Sequence, residues 1–170
     1  LTSAGDRYAH LADLAKRGLV EWAVVDPGSV NFAMFDGVAG DDTGFVYQNP
    51  GDHIVEGLRI CAEHDVRPSY AIYEPGFTRL GAALAARFPT IPAPVYRFMF
   101  SDQFAFGFPP AVHHLDAHLA LLAEAAPDAP WMVAGLGVDI RPLIAPAVAR
   151  GGHVRVGLED APLGAETSNV

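Results

Sequence analysis

The sequence has little that would tie it to an oxidising compartment or to a polyanionic partner. Its 170 residues include one cysteine, Cys61, which cannot form a disulfide within the chain. Lys and Arg number 11 against 20 Asp and Glu, so the formal net charge at pH 7 is −9. Nucleic acids and anionic lipids are bound by basic faces, and this charge disfavours both. We therefore predict a cytoplasmic protein that acts on small molecules, without nucleic acid or membrane partners.

Long hydrophobic runs and nucleotide-binding motifs are also missing. No stretch approaches the roughly 18 to 20 uninterrupted apolar residues of a membrane span, and residues 1–18 are amphipathic rather than a signal peptide. Neither GxGxxG nor GxxxxGK[ST] follows a strand-like segment, which argues against a doubly wound nucleotide-binding sheet. The 51% hydrophobic and 18% charged content is that of a globular domain with a sizeable core.

What is present is a regular alternation of helical and strand-like segments. The strand-like segments are VEWAVVD, RPSYAIYE, VYRFMFSD, WMVAGLG and HVRVGLED, and a loop is predicted between Gly37 and Asp52. Such alternation is typical of parallel strands joined by right-handed crossovers. We interpret the chain as an α/β protein of the TIM (β/α)8 barrel type. Residues 1–170 would be a single domain covering about the last five βα units, with the N-terminal units missing.

Polar residues recur where the predicted strands end. They are Asp26, Ser29, Glu74, Ser101, Asp102, Glu159 and Asp160. In a TIM barrel the carboxyl ends of the strands form the catalytic face, because the βα loops converge there. Each residue taken alone could equally be a helix cap.

Glu159 and Asp160 form the most informative pair. Adjacent side chains of an extended segment point to opposite sides, so one of the two carboxylates must face the barrel axis. An unpartnered carboxylate there would be costly, and we expect Arg155 or a bound cation beside it. Such a cluster is typical of catalysis or of metal binding.

Two other features have open interpretations. His114 and His118 are four residues apart and could bind a metal together. Because they lie in a predicted outer helix beside Asp116, we expect them instead to be solvent-exposed. His53 is expected to be a surface or cap residue. The aromatic loop at residues 101–110 either lines a substrate mouth or packs against a neighbouring subunit.

Four segments together resemble a known family. DPGSVNF, IYEPG, GGHVRVGLED and the following SNV are similar to motifs of the β-keto acid cleavage enzymes, which are zinc-dependent (β/α)8 barrels, and the likeness runs in the same order over nearly the whole chain. The resemblance implies an acyltransferase that cleaves a C–C bond: a β-keto acid reacts with acetyl-CoA to give acetoacetate and a new CoA thioester. It also implies a homo-oligomer, expected to be a tetramer.

The resemblance assigns roles to the residues of the last motif and of IYEPG. Glu159 would bind zinc, Asp160 would act as the general base, and Arg155 would polarise and orient the reacting carbonyl and carboxylate groups. Glu74 would match an acidic active-site residue. A Lewis acid on the keto oxygen and a nearby base suit this chemistry.

Ser29 and Asn31 would lie in the substrate-binding loop of the family. The family's other zinc ligands form a His-x-His pair, which this sequence lacks, so the second and third ligands are expected upstream of Leu1. Ala161 stands where the family usually has Asn. Two alternatives stay open: another metal-dependent keto-acid lyase or aldolase barrel, and a non-catalytic binding protein derived from such a barrel.

Overall fold

The computed structural model describes residues 2–157 and Asp160. Its helices are α1 (Ala4–Lys16), α2 (Phe35–Val38), α3 (Gly51–His64), α4 (Pro75–Ala85), α5 (Val112–Ala125) and α6 (Arg141–Ala149). Its strands are β1 (Trp22–Val24), β2 (Val30–Phe32), β3 (Phe45–Tyr47), β4 (Arg67–Ile72), β5 (Val95–Phe100), β6 (Trp131–Gly135) and β7 (His153–Val154).

The main sheet is parallel and has the strand order β1-β4-β5-β6-β7. Each strand of this sheet lies beside the strand that precedes it in the sheet, on the side away from β1, so the strand order follows the chain order without reversing. Right-handed crossovers then place the connecting helices on one face of the sheet, as in barrels and unlike doubly wound sheets. The predicted α/β class with a parallel sheet is confirmed. Closure into a barrel stays a prediction, because β1 and β7 are edge strands in the part of the chain described.

The face of the sheet that packs against the helices forms the main core. Strand side chains on this face, such as Tyr70, Phe98 and Val133, are fully buried and pack with Leu115 and Leu143 of the helices. Because strand side chains alternate between faces, Ser69, Ala71, Arg97 and Met132 lie on the opposite side. We call that opposite side the inner face.

Helix boundaries follow local chemistry. The Ser3 hydroxyl accepts a hydrogen bond from the Asp6 amide at 3.1 Å and caps the start of α1. Gly18 has a φ of 65° just after that helix. Pro142 lies in the first turn of α6, as predicted, where its missing N–H costs no helical hydrogen bond.

The prediction of a loop between Gly37 and Asp52 was wrong in part. It contains β3, which pairs antiparallel with β2 to form a hairpin. Gly44 makes the hairpin possible, since its φ is 71° and a Cβ there would lie 1.8 Å from the Phe32 carbonyl oxygen. Strands of three residues show too little periodicity to be recognised from sequence.

The last predicted strand is also shorter than expected. β7 ends at Val154, and the Arg155 amide makes one further hydrogen bond, 2.9 Å from the Val133 carbonyl oxygen. The Asp160 amide then donates to the Gly157 carbonyl at 3.1 Å. Asp160 therefore lies on a hydrogen-bonded turn rather than in the strand.

The expected exposure of His118 was wrong, and His53, expected to be a surface or cap residue, is also buried. His118 is buried and stacks on Phe98 with ring centroids 4.5 Å apart, and burial lowers its pKa to about 4. It shares the inward face of α5 with Leu115 and Leu122, at helical spacing. His53 is buried at the start of α3. No helix in the described residues is long and apolar enough to cross a membrane.

Candidate active site

Four charged side chains lie on the inner face of the sheet, and we call them the charged row. Asp26 follows β1, Arg97 is in the middle of β5, Arg155 follows β7, and Asp160 lies on the turn beyond it. Burial raises the pKa of Tyr73 to about 12, and all four charges act on its phenol, the two carboxylates raising the pKa and the two guanidinium groups lowering it. The four groups therefore form one electrostatic cluster.

Arg155 and Asp160 form an ion pair at the β7 end of the row. Arg155 Nη2 lies 3.1 Å from Asp160 Oδ1, and the Asp160 side chain is 2% exposed. The Asp160 carbonyl accepts a hydrogen bond from the Gly137 amide at 2.9 Å, which fixes the turn against the end of β6. Burial raises the pKa of Asp160, while the positive charges of Arg155 and Arg97 oppose this. A buried carboxylate with a raised pKa is suited to accepting a proton.

Asp26 is held at the other end of the row by three donors. Its Oδ1 accepts from the Ala71 amide at 2.6 Å, and its Oδ2 accepts from the Tyr47 hydroxyl at 2.7 Å. Arg97 Nη2 lies 3.5 Å from Oδ1, at the limit of a hydrogen bond. Burial raises the pKa of Asp26, and the Ala71 amide is the largest opposing influence. The hydrogen bonds to the Asp26 carboxylate thus come mainly from uncharged donors.

Arg97 reaches Asp26 across a small neighbour. Ala71 is the register partner of Arg97 on β4, and its methyl group leaves room for the guanidinium to pass toward the end of β1. The Arg97 side chain is 10% exposed, and among the described residues its Nε has no hydrogen-bond partner. Burial lowers the pKa of Arg97, and Asp26 partly restores it. Arg97 therefore retains unused donors in a low-dielectric setting.

A cavity of about 360 Å³ opens on the inner face beside the charged row. Its lining residues are Trp22, Ala23, Val24, Ser69, Arg97, Met132 and Arg155. Both arginines of the row line it, and the rest of the wall is apolar apart from Ser69. A concave apolar site with a few convergent cations suits a small anionic molecule.

Aromatic side chains cover the inner face at the carboxyl ends of the strands. We call this set the aromatic cap; its members are Phe32, Tyr47, Tyr73, Phe104 and Phe106. The ring centroids of Phe32 and Phe106 are 5.1 Å apart, and those of Tyr73 and Phe106 are 5.0 Å apart. The loop at residues 101–110 therefore packs on the β2–β3 hairpin of its own chain, a contact that neither sequence-based alternative had described.

The other residues predicted for the site have loop contacts. The Ser29 hydroxyl accepts from the Asn49 amide at 2.8 Å, and Asn31 lies exposed in β2 opposite Val46. Glu74 Oε1 accepts from the Gly107 amide at 3.2 Å. In the part of the chain described, these polar contacts are with loop backbone rather than with the charged row. Glu159 lies outside the described residues.

Sequence reasoning missed Arg97 and gave Asp26 no role beyond its place at a strand end. The signal for Arg97 was present, since a single Arg in the apolar segment VYRFMF is the same anomaly that singled out Arg155 in HVRVGL. The partnership with Asp26 depends on the parallel register of β1, β4 and β5, which the sequence does not give.

Zinc does not fit the described residues by themselves. Among residues 2–157 and Asp160, no three His, Cys, Asp or Glu side chains lie together in a way that could hold a metal ion. Asp160 is instead paired with Arg155.

These features define an α/β protein with a singly wound parallel sheet and a charged site on the face that the helices leave uncovered. The profile of the β-keto acid cleavage enzyme family matches residues 1–170, and the chain belongs to that family.

Solved structures of ObcA share the fold. Its binary complex with oxaloacetate superposes with a TM-score of 0.58 at 14% sequence identity, over 83% of this chain and 35% of that chain. The ternary complex with C4-CoA adduct and oxalate also gives 0.58 at 14% identity, over 82% and 35%. Apo ObcA gives 0.59 at 14% identity, over 83% and 34%. The chain thus spans about a third of the length of these structures.

Proposed function

We propose that the intact protein cleaves a β-keto acid in the presence of acetyl-CoA, releasing acetoacetate and the CoA thioester of the remaining acyl chain. The observation that carries the proposal is the buried Arg155–Asp160 pair, which lies on the inner face within the segment GGHVRVGLED. Family membership supports it. The ObcA complexes with oxaloacetate and with a C4-CoA adduct support a keto acid and a CoA-linked group as the reacting partners.

The atom balance of this reaction defines what the site must do. The α-carbon of the β-keto acid gains a bond to the carbonyl carbon of the acetyl group and loses its bond to its own β-carbon. The CoA sulfur leaves the acetyl group and ends on the β-carbon. The α-carbon must therefore lose a proton to become a nucleophile and must regain a proton when acetoacetate departs.

Asp160 is the proposed general base that removes this proton, and in its protonated form it is the acid that returns it. Its carboxylate is desolvated, which makes it more basic than a carboxylate in water, and the turn at Gly157 holds it in place. When Asp160 takes the proton, its carboxylate no longer offsets the positive charge of Arg155. Its guanidinium can then stabilise the negative charge that develops on the substrate.

Arg155 is the proposed group that orients the reacting carbonyl and carboxylate. A guanidinium offers several donors in one plane, so one edge can hold Asp160 while another faces the substrate. Arg155 both lines the cavity and forms the ion pair with Asp160, which supports this double role.

The proposal also includes a metal ion and three further residues, which are zinc, Glu74, Ser29 and Asn31. Bound zinc would polarise the keto oxygen, with Glu159 as one ligand and further ligands from outside the described residues. Glu74 is proposed to act at the site from the end of β4, and Ser29 and Asn31 from the substrate loop. The working form is proposed to be a cytoplasmic homo-tetramer in which the parallel sheet belongs to a closed barrel.

Label tracing tests the reaction itself. The intact protein is incubated with a β-keto acid and acetyl-CoA carrying ¹³C in the acetyl carbonyl, and the products are resolved by mass spectrometry and NMR. We expect the label in the keto carbon of acetoacetate and none in the new thioester. Label in the new thioester, or keto acid loss without acetoacetate, would contradict the proposed cleavage and would favour a different lyase reaction.

A further inference from the structure

We propose that Arg97 binds a second carboxylate of the substrate, so that the preferred β-keto acid is a dicarboxylate. The inference rests on the proposed function and narrows its substrate class. It is carried by the position, burial and unused donors of Arg97 on the inner face.

The Arg97 guanidinium has few hydrogen-bond partners for a buried group. It is nine-tenths buried, and its contact with Asp26 is a single long one of 3.5 Å. Within the described residues its Nε has no partner. A buried guanidinium with unused donors is costly in an otherwise satisfied structure, and a bidentate carboxylate is the ligand that matches its planar fork.

Asp26 is the internal partner of Arg97 among the described residues. Both of its carboxylate oxygens already accept shorter hydrogen bonds, from the Ala71 amide at 2.6 Å and from the Tyr47 hydroxyl at 2.7 Å. Asp26 therefore does not depend on Arg97 alone for its hydrogen bonds. The guanidinium can turn its other donors toward a ligand while Nη2 keeps Asp26 as a neighbour.

The two arginines that line the cavity come from strands that are not neighbours. Arg97 and Arg155 belong to β5 and β7, with β6 between them, so their backbones are separated by two strand spacings, or about 10 Å. The wall between the two arginines is formed by Met132. A short ligand with an anionic group at each end and an uncharged middle fits this arrangement. Ser69 adds one hydroxyl to the lining on the Arg97 side.

Binding of substrate-like diacids tests the site separately from turnover. Calorimetry on the intact protein compares adipate with hexanoate, which has the same number of carbons and one carboxylate fewer. We expect adipate to bind at least about 10-fold more tightly, since charge-assisted hydrogen bonds to a buried guanidinium are strong. Arg97→Met should remove that difference, and Arg97→Lys should restore part of it because it keeps the charge without the fork.

Turnover provides the second readout. For wild-type protein, kcat/KM on 3-oxoadipate should exceed that on 3-oxohexanoate by about 10- to 100-fold. Arg97→Met should remove most of this preference, so that kcat/KM on 3-oxoadipate falls about 10-fold further than kcat/KM on 3-oxohexanoate, mainly through KM. The ratio between the two substrates is the readout, because Arg97 also acts on Asp160 and its loss affects both reactions. If Arg97→Met disturbs folding by leaving Asp26 uncompensated, the double variant Asp26→Asn with Arg97→Met removes both charges and keeps donors and acceptors for Tyr47 and Ala71. Arg150→Met is the matched control, because Arg150 pairs with Asp116 on the helical side of the molecule.

The outcomes separate this inference from the proposed function. Equal binding of adipate and hexanoate, or equal losses on both keto acids in the folded Arg97 variants, would overturn the dicarboxylate site and leave the cleavage reaction standing. Selective adipate binding that depends on Arg97, together with no cleavage of any β-keto acid, would support the site and overturn the proposed function.

Discussion

Arg97 crosses over Ala71 to place Nη2 3.5 Å from Oδ1 of Asp26, so that a residue of β5 contacts the end of β1 across the whole width of β4. The contact is possible because β1, β4 and β5 are parallel neighbours and because the residue in the middle is alanine. It makes the small size of Ala71 a requirement of the site rather than a neutral feature of the strand.

Ala71→Leu should displace Arg97 from Asp26. The larger side chain would fill the space that the guanidinium crosses, and overpacking at a buried position destabilises by about 1–3 kcal/mol. Urea denaturation of the intact protein measures the change in the free energy of unfolding. Ala83→Leu is the control, since Ala83 is exposed on α4 and the same substitution there should change stability by less than about 0.5 kcal/mol. Equal effects of the two substitutions would contradict the crossing geometry.

Asp26→Asn should change how stability depends on pH. Burial raises the pKa of Asp26 in the folded state, so the folded protein favours the protonated acid relative to the unfolded chain. The contribution of Asp26 is therefore most favourable below its unfolded pKa of about 3.9 and becomes less favourable as pH rises through the raised folded value. Asn does not titrate.

Urea denaturation of both proteins between about pH 4 and pH 7 measures the difference, since the unfolded pKa of Asp is about 3.9. The variant should gain stability relative to wild type as pH rises. A difference that stays constant would mean that the donors of Asp26 balance its burial, and one that moves in favour of wild type with rising pH would mean that they outweigh it; both outcomes contradict the prediction.

Gly107→Ala should weaken the packing of the aromatic loop. Gly107 has a φ of 52°, and a Cβ there would lie 2.3 Å from the Tyr73 carbonyl oxygen. The Gly107 amide also donates to Glu74, so a shift of the loop would break that hydrogen bond. We expect a loss of about 1–3 kcal/mol, measured by thermal or urea denaturation.

Gly76→Ala is the matched control for this substitution. Gly76 lies in α4, and a Cβ there would meet no atom within 4 Å. The change should be neutral or stabilising, because alanine restricts the unfolded chain and favours the helix. Similar losses at both glycines would contradict the role assigned to Gly107.

The fold was largely predictable because each long element has its own periodic signal. β4, β5 and β6 lie within predicted apolar segments, and Pro142 falls in the first turn of its helix. The β2–β3 hairpin was not predictable, since three-residue strands around Gly44 show no usable period. His118 could have been placed correctly, because it shares helical spacing with Leu115 and Leu122.

The site was predictable only where one segment holds both partners. Arg155 and Asp160 are five positions apart, and the expectation that an arginine accompanies the acidic end of GGHVRVGLED came from that segment alone. Asp26 and Arg97 are separated by 71 positions and meet through strand register. Long-range pairs of this kind leave no trace in local sequence beyond a charged residue in an apolar strand.

The most direct test of the account is acetoacetate formation by Asp160→Asn in the intact, folded protein. Removing a general base usually costs about 100-fold or more in rate, so activity with acetyl-CoA and the preferred β-keto acid should fall to about 1% of wild type or below. Asp116→Asn, which alters an exposed carboxylate on α5, should leave the rate within about twofold, as expected for a surface change. Turnover by Asp160→Asn within a few-fold of wild type would contradict the central claim that Asp160, held by Arg155, moves the substrate proton.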